Sequence, residues 1–147
     1  MAERNMDMKK CPMPVQDPDV RNKNFDEVAL GYTYDMAVNE ARRCLNCPKK
    51  PCQSACPVQI DIPAFIERVA NEDMDGAFEI LSKSTSLPAV CGRVCPQENQ
   101  CEGKCVRGIK GEAVGIGRLE RFVADYHREH CTDTPEMPEQ NLSLIHI

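Results

Sequence analysis

Apolar side chains recur with helical spacing in several stretches of this chain, and polar residues fill the positions between them. The most regular stretch places Met74, Ala77, Phe78 and Leu81 at positions i, i+3, i+4 and i+7, which predicts a helix with one buried face. Three further apolar faces predict helices, and their residues are Met36, Ala37, Ala41 and Leu45; Ile62, Phe65, Ile66, Val69 and Ala70; and Ile116, Leu119, Phe122, Val123 and Tyr126. No stretch of useful length alternates between apolar and polar residues in the manner of a β-strand. The predicted fold class is therefore all-α.

Helix-capping residues precede two of these stretches. Thr33 or Asp35 can accept hydrogen bonds from the first amides of the first helix, which is predicted to run as far as Cys44. Asp61 can cap the second helix, and Pro63 suits its first turn. The last helix is predicted to span residues 116–130.

The two ends of the chain differ in composition from its helical middle. Residues 1–32 contain three prolines and predict an extended N-terminal arm that lies across a neighbouring surface. Cys11 lies in this arm, far along the chain from the other thiols, and is expected to be free. Residues 33–131 form the predicted helical domain. Residues 132–147 have the composition of a linker followed by a tail introduced by cloning.

The composition argues for a small core that relies on an inorganic group for stability. The chain of 147 residues has no Trp, four Phe and three Tyr, but ten Cys. Its net charge of −5 argues against a nucleic-acid-binding module, which would need a broad basic face. The chain shows neither a secretory signal nor a membrane-spanning apolar run, so we expect it in the cytoplasm. Thiols stay reduced there, which favours metal binding over disulfides.

Most of the cysteines fall into two runs. The first is Cys44-x2-Cys47-x4-Cys52-x3-Cys56-Pro57, and the second is Cys91-x3-Cys95-Pro96 followed by Cys101-x3-Cys105. Clustered cysteines that end in Cys-Pro are typical of bacterial ferredoxins, and Cys-x3-Cys-Pro occurs here twice. A short helix after Pro88 would place Cys91 and Cys95 one turn apart on one face. Eight cysteines are also the number that two 4Fe–4S clusters need if every ligand is a thiolate.

Zinc is the first alternative to iron and sulfide, because Cys-x2-Cys pairs also suit tetrahedral zinc sites. Zinc-binding pairs usually lie apart on hairpin turns, whereas these cysteines are packed into runs between helices. A disulfide framework is a further alternative, and a redox-active Cys44-x2-Cys47 pair would require a βαβ setting. The pattern favours iron–sulfur clusters.

Basic residues gather around the cysteine runs although the chain as a whole is acidic. They are Arg42, Arg43, Lys49, Lys50, Arg93, Lys104, Arg107 and Lys110. Most of them are expected to be solvated surface side chains. Some could instead offset the negative charge of a thiolate-ligated cluster and tune its potential.

Together these motifs give the chain a specific resemblance to a known family. The motifs are Pro14-x2-Asp17-Pro18-x2-Arg21-x2-Asn24-Phe25, Ala41-x-Arg43-Cys44-Leu45-x-Cys47, Cys56-Pro57-Val58-x-Ile60-Asp61-Ile62-Pro63, Cys91-Gly92-Arg93-Val94-Cys95-Pro96, Cys101-Glu102-Gly103-x-Cys105 and Ala113-Val114-x-Ile116-Gly117-x-Leu119-Glu120-Arg121. The chain resembles the N-terminal iron–sulfur domain of the NADPH-dependent glutamate synthase small subunit. The same domain opens dihydropyrimidine dehydrogenase and the large subunit of NADH-dependent ferredoxin:NADP oxidoreductase.

This resemblance implies an α-helical ferredoxin-like domain with two 4Fe–4S clusters. Carried over residue by residue, the ligands of one cluster are Cys44, Cys47, Cys52 and Cys105, and those of the other are Cys56, Cys95, Cys101 and Glu120. Counting thiols favours Cys91 as the eighth ligand, whereas the family pattern favours the residue after Leu119, a glutamine in dihydropyrimidine dehydrogenase. We expect Glu120. Four apolar residues beside the ligands are expected to limit solvent access to them: Ile60, Ile62, Val90 and Val94.

The resemblance also implies a function. We expect an electron-transfer module that relays electrons between a flavin and a catalytic partner subunit of the glutamate synthase type, and is not catalytic alone. FAD and NADPH are expected to bind downstream domains of a longer parent chain, because Gly115-x-Gly117-x-x-Glu120 lacks the third glycine of a dinucleotide-binding turn and follows no strand. The alternative is an interaction module whose zinc ions or clusters only hold the fold together.

Overall fold

A computed structural model describes residues 3–131, so the linker and tail predicted for residues 132–147 lie outside the described part of the chain. The helices are α1 (Pro18–Arg21), α2 (Tyr34–Ala41), α3 (Pro51–Ser54), α4 (Ile62–Ala70), α5 (Met74–Ser82), α6 (Pro88–Val94) and α7 (Ile116–His130). Three short 3₁₀ helices lie between α6 and α7, at Gln97–Asn99, Glu102–Lys104 and Val106–Ile109. The prediction of an all-α domain is confirmed: the described residues contain no strand, only one isolated antiparallel bridge between Val15 and Ala29.

Side-chain caps begin three of the longer helices. Thr33 accepts a hydrogen bond from the Met36 amide, Asp61 accepts one from the Ala64 amide at 3.3 Å, and Asp73 accepts one from the Gly76 amide at 3.0 Å. Each bond satisfies one of the amides that the first turn of a helix leaves without a partner. The predicted caps Thr33 and Asp61 are therefore confirmed.

The first predicted helix is shorter than its apolar pattern suggested. Helix α2 ends at Ala41, and the amide of Cys44 bonds the carbonyl of Ala41, three residues back. Asn46 then adopts a left-handed conformation with φ +50°, which no helix can continue through. Cys44 therefore lies in a turn after α2 and not at the end of a helix.

The core lies where α2, α4, α5 and α7 pack together. The most buried apolar side chains are Ala37 of α2, Phe65, Ile66 and Val69 of α4, Ala77 and Leu81 of α5, and Leu119 and Val123 of α7. Each large apolar side chain buried in this way stabilises the fold by roughly 1.5–3 kcal/mol. Phe78, Phe122 and Tyr126 were predicted to be buried, and they pack against the edge of this core in a partly buried state.

The N-terminal arm lies along the surface of its own chain. The Asn5 amide bonds the carbonyl of Arg42, and the Glu112 amide bonds the carbonyl of Met8 at 2.8 Å. Further along the arm, Glu27 pairs with Arg93 of α6 at 2.7 Å. Polar contacts thus hold the arm against the helical body at both ends.

Across residues 3–131, no helix combines the length and the apolar character that crossing a membrane requires.

Candidate functional site

Four of the predicted ligands line one small cavity: Cys44, Cys47, Cys52 and Cys105. They come from the turn after α2, the following loop, the short helix α3 and the junction between two 3₁₀ helices. Left-handed backbone at Asn46 (φ +50°) and Lys50 (φ +42°) bends the loop so that the first three thiols gather within nine residues of chain. The structure brings together the first set of ligands that the resemblance implied.

The walls of this cavity are largely apolar. Ile62 and Ile66 of α4 and Ile116 of α7 line it, and Ile60 lies buried nearby in the chain at 2% exposure. The expected burial of Ile60 and Ile62 is confirmed. The buried guanidinium of Arg107 is a charged group in the wall.

Burial disfavours ionisation of two thiols in this first group, Cys44 and Cys52. Burial is the main cause that raises the pKa of Cys44 to about 11; a hydrogen bond from the Asn46 backbone opposes this rise, and the neighbouring cysteines contribute to it. Burial also raises the pKa of Cys52. These thiols therefore favour their neutral form in the free chain, and metal binding must release their protons because thiolates are the ligands.

The second predicted set gathers where α6 meets α7. Cys95 directly follows α6, Cys101 directly precedes the second 3₁₀ helix, Cys56 follows α3 closely, and Glu120 lies in the second turn of α7. The pKa of Cys95 is raised by burial and then by the charges of its neighbours Cys91, Glu120 and Cys56. Burial, followed by the charges of Glu102, Cys56 and Glu120, raises the pKa of Cys101 to about 12. These mutual effects place the three thiols and the carboxyl group in one neighbourhood.

Glu120 is a buried acid without a hydrogen-bond partner. Its side chain is 6% exposed, and its Oε1 atom has no partner among the described residues. Burial raises its pKa to about 7. Leaving such an oxygen buried and unpaired costs free energy, so Glu120 is suited to act as a ligand. The donor set of three thiols and one carboxyl group fits a metal cluster.

Cys91 competes with Glu120 for the eighth position and lies beside the same group. Its Sγ atom approaches the Thr85 hydroxyl at 3.8 Å, and it neighbours Cys95 one turn along α6. The thiol of Cys91 thus already has a polar neighbour, whereas the Oε1 atom of Glu120 has none. This difference favours Glu120 as the ligand.

Three features of the site differ from the sequence-based expectations or were missed by them. Val90 and Val94 were expected to shield the ligands, but they are 48% and 71% exposed, because they lie on the side of α6 that faces away from α7. The burial of Arg107 in the cysteine cavity was not predicted. The close approach of Gly92 to α7 was also missed, although an internal glycine in a short helix is a signal for tight packing.

No three His, Cys, Asp or Glu side chains within residues 3–131 converge closely enough to hold a single metal ion. A four-iron cluster does not require such convergence, because each of its ligands binds a different iron atom. Cys11 contacts neither thiol group: its charged neighbours are Glu40, Arg118 and Arg43.

Comparison with known proteins confirms the resemblance. A family model described as dihydropyrimidine dehydrogenase domain II, 4Fe–4S cluster, matches residues 21–132. The NAD-dependent dihydropyrimidine dehydrogenase subunit PreT of Escherichia coli (strain K12) is 40% identical over 105 residues, which are 71% of this chain and 26% of that protein. The glutamate synthase [NADPH] small chain of Halomonas elongata is 37% identical over 131 residues, 85% of this chain and 28% of that protein.

A second glutamate synthase [NADPH] small chain, from Azospirillum brasilense, is 32% identical over 126 residues, which are 84% of this chain and 26% of that protein. This chain thus spans about a quarter of the length of each of these three relatives. The matches agree with the predicted class of function, an iron–sulfur electron-transfer module of an oxidoreductase. The chain belongs to the family of dihydropyrimidine dehydrogenase domain II, the 4Fe–4S cluster domain.

Proposed function

We propose that this chain holds two 4Fe–4S clusters and relays electrons inside a flavin- and NADPH-dependent oxidoreductase. One cluster is bound by Cys44, Cys47, Cys52 and Cys105, and the other by Cys56, Cys95, Cys101 and Glu120. The observation that carries the proposal is the arrangement of these residues in two separate groups, four thiols around one cavity and three thiols beside a buried, unpartnered carboxyl group. When bound, each cluster accepts and releases one electron at a time.

Two short helices connect the two proposed sites. Cys52 lies in helix α3 and Cys56 follows the end of that helix, whereas the 3₁₀ helix Glu102–Lys104 lies between Cys101 and Cys105. In each case the two cysteines are four residues apart and serve different sites. Four residues of helix span about 6 Å, so each connection keeps the sites close together. This spacing favours direct electron exchange between them.

The two proposed sites also differ in their ligands. This difference suits electron transfer in one direction, from one cluster to the other. A carboxylate oxygen is a harder ligand than a thiolate, so the site with Glu120 and the site with four thiolates need not share one reduction potential. The apolar walls around the first site limit solvent access and strengthen this distinction.

The parent enzyme in this proposal is of the glutamate synthase small-subunit type. Its FAD and NADPH domains lie downstream on the same chain, and a catalytic partner subunit receives the electrons. The matches to two glutamate synthase [NADPH] small chains over 84% and 85% of this chain support this choice. The match to an NAD-dependent dihydropyrimidine dehydrogenase subunit supports a second candidate, a parent that serves pyrimidine reduction. Both candidates share a nicotinamide nucleotide as the electron source.

Anaerobic purification followed by reduction tests the electron-transfer role. We expect about eight iron and eight acid-labile sulfide per chain, a brown colour that dithionite bleaches, and full recovery of the colour on reoxidation. A colourless, fully folded chain that contains zinc would contradict the proposal and favour a purely structural module. A brown chain that no reductant bleaches would contradict the redox role alone.

A further inference from the structure

The eight basic residues around the cysteine runs differ sharply in their surroundings. Four of them form ion pairs with carboxylates: Arg42 with Glu72, Arg43 with Glu40, Lys50 with Asp61, and Arg93 with Glu27 and Asp125. Three are exposed: Lys49, Lys104 and Lys110. Arg43 and Arg107 are both buried, but Arg107, at 8% exposure, has no carboxylate partner in the described part of the chain.

Arg107 lies beside the first group of thiols. It lines the same cavity as Cys44, Cys47, Cys52 and Cys105, and it follows Cys105 by two residues in the 3₁₀ helix Val106–Ile109. Its guanidinium donates a hydrogen bond to the carbonyl of Asp7 in the N-terminal arm. The position of this charge is therefore set by the backbone around it.

A buried cation without an anion is costly, and no carboxylate in the described part of the chain pairs with Arg107. A four-iron cluster held by thiolates is negative in both oxidation states and becomes more negative when it is reduced. A fixed cation beside it therefore stabilises the reduced form more than the oxidised form.

We propose that Arg107 is the positive charge that raises the reduction potential of the cluster held by Cys44, Cys47, Cys52 and Cys105. This inference rests on the proposed function, because it requires that cluster. Arg107 is a positioning and tuning residue and not a ligand: its guanidinium carries no lone pair for iron at any pH that the protein survives.

The N-terminal arm helps to hold Arg107 in place. The Asp7 carbonyl accepts hydrogen bonds from both Arg107 and Arg43, the latter at 2.9 Å. Asp7 lies outside residues 21–132, the part of the chain that the family model matches. The arm thus contributes a contact that orients Arg107 from beyond the matched region.

Redox titration monitored by electron paramagnetic resonance tests the assignment, and the variant is Arg107→Met, which keeps much of the side-chain volume and removes the charge. We expect one of the two cluster midpoints to fall while the other stays in place. At the solution potential that half-reduces this cluster in the unaltered chain, the ratio of reduced to oxidised cluster should fall about tenfold. Arg107→Lys retains the charge and should restore most of the potential.

Lys110→Met is the matched control, because it removes one exposed positive charge three residues away that does not line the cavity. It should leave both midpoints unchanged. Arg107→Gln is the second neutral variant if Arg107→Met loses iron, since its amide can still donate to the Asp7 carbonyl. Fully loaded neutral variants with unchanged midpoints would overturn the inference, and so would a shift of equal size in Lys110→Met. A chain that binds no iron in its unaltered form would instead overturn the proposed function.

Discussion

Gly92 of α6 packs its bare α-carbon directly against the backbone of Arg121 in α7. A β-carbon at Gly92 would lie 2.6 Å from the Arg121 nitrogen, closer than real β-carbons approach other atoms. The residues next to this contact are Cys91 on α6 and Glu120 on α7, the two candidates for the eighth ligand. The contact therefore sets how closely Glu120 approaches Cys95 at the end of α6.

We predict that Gly92→Ala forces α6 away from α7 and weakens the site that contains Glu120. Overpacking of this kind costs about 1–3 kcal/mol, and the backbone of Arg121 cannot move aside as a flexible side chain can. The apparent free energy of unfolding, measured by urea denaturation of the anaerobic chain, should fall by this amount. Iron content should fall by no more than one cluster.

Gly108→Ala is the control for this substitution. A β-carbon there would meet Ala113 at 3.7 Å, an ordinary van der Waals distance. It should leave both stability and iron content close to those of the unaltered chain. Equal losses in the two glycine variants would contradict the role of the contact between α6 and α7.

The eighth ligand can be decided by substituting its two candidates separately. Cys91→Ser should leave iron content unchanged, because its thiol neighbours Thr85 and is not needed as a ligand. Glu120→Ala should perturb one cluster only, since it removes the unpartnered carboxyl group. Iron and sulfide analysis together with electron paramagnetic resonance spectra of each reduced variant provide the measurement. The opposite pattern would assign the ligand role to Cys91.

The buried ion pair between Glu40 and Arg43 should be among the most sensitive polar contacts. Their side chains are 0% and 1% exposed and 2.6 Å apart. The Glu40 carboxylate also accepts hydrogen bonds from the backbone amides of Cys11 and Gly115, at 2.7 and 2.8 Å. Glu40→Gln should therefore lower the apparent free energy of unfolding by about 3–5 kcal/mol, because it leaves the Arg43 charge buried without its counterion.

Glu72→Gln is the matched control, since Glu72 pairs with the adjacent Arg42 at 3.4 Å on the surface. Exposed ion pairs contribute about 1 kcal/mol or less to the free energy of unfolding, so we expect a small loss in this variant. Urea denaturation of both variants side by side measures the difference. A similar, small loss of unfolding free energy in both variants would show that burial of the Glu40–Arg43 pair does not increase its contribution to stability.

Asp73 should contribute to stability at neutral pH by capping α5. Its hydrogen bond from the Gly76 amide, and then its contact with Arg68, lower its pKa below the usual value of 3.8. A depressed pKa means that the contribution is present above this value and is lost as the pH falls through the folded-state pKa. Asp73→Ala should lower the free energy of unfolding by about 1 kcal/mol at pH 7.

The exposed neighbour Asp75 provides the comparison, because it lies in the first turn of α5 but is not the cap. At pH 7, Asp75→Ala should lower the free energy of unfolding by less than Asp73→Ala does. Thermal unfolding followed by circular dichroism at neutral pH and at a pH well below 3.8 checks both statements. If the contribution of the cap instead grew on acidification, the carboxylate of Asp73 would not be its stabilising form.

Much of the helical architecture could be predicted because it depends on local patterns. The last helix was predicted to span residues 116–130, and α7 occupies Ile116–His130. Its apolar face repeats every three to four residues, which determines both the helix and its buried side. Cys44 was placed wrongly because the apolar pattern extends to Leu45, whereas the left-handed Asn46 and the turn before it end the helix earlier.

The sequence by itself determined which residues carry the chemistry: the spacing of the cysteines, their association with proline and the family pattern through Glu120 are properties of the chain in order. Only the tertiary structure decided which side chains surround them. Arg107 is buried whereas Val90 and Val94 are exposed, although each lies within two residues of a cysteine that is a predicted or alternative ligand. The physical reason is that burial depends on which elements pack together. The contacts of Gly92 with α7 and of the N-terminal arm with Arg107 join residues distant in sequence, and no local pattern identifies the partner in either contact.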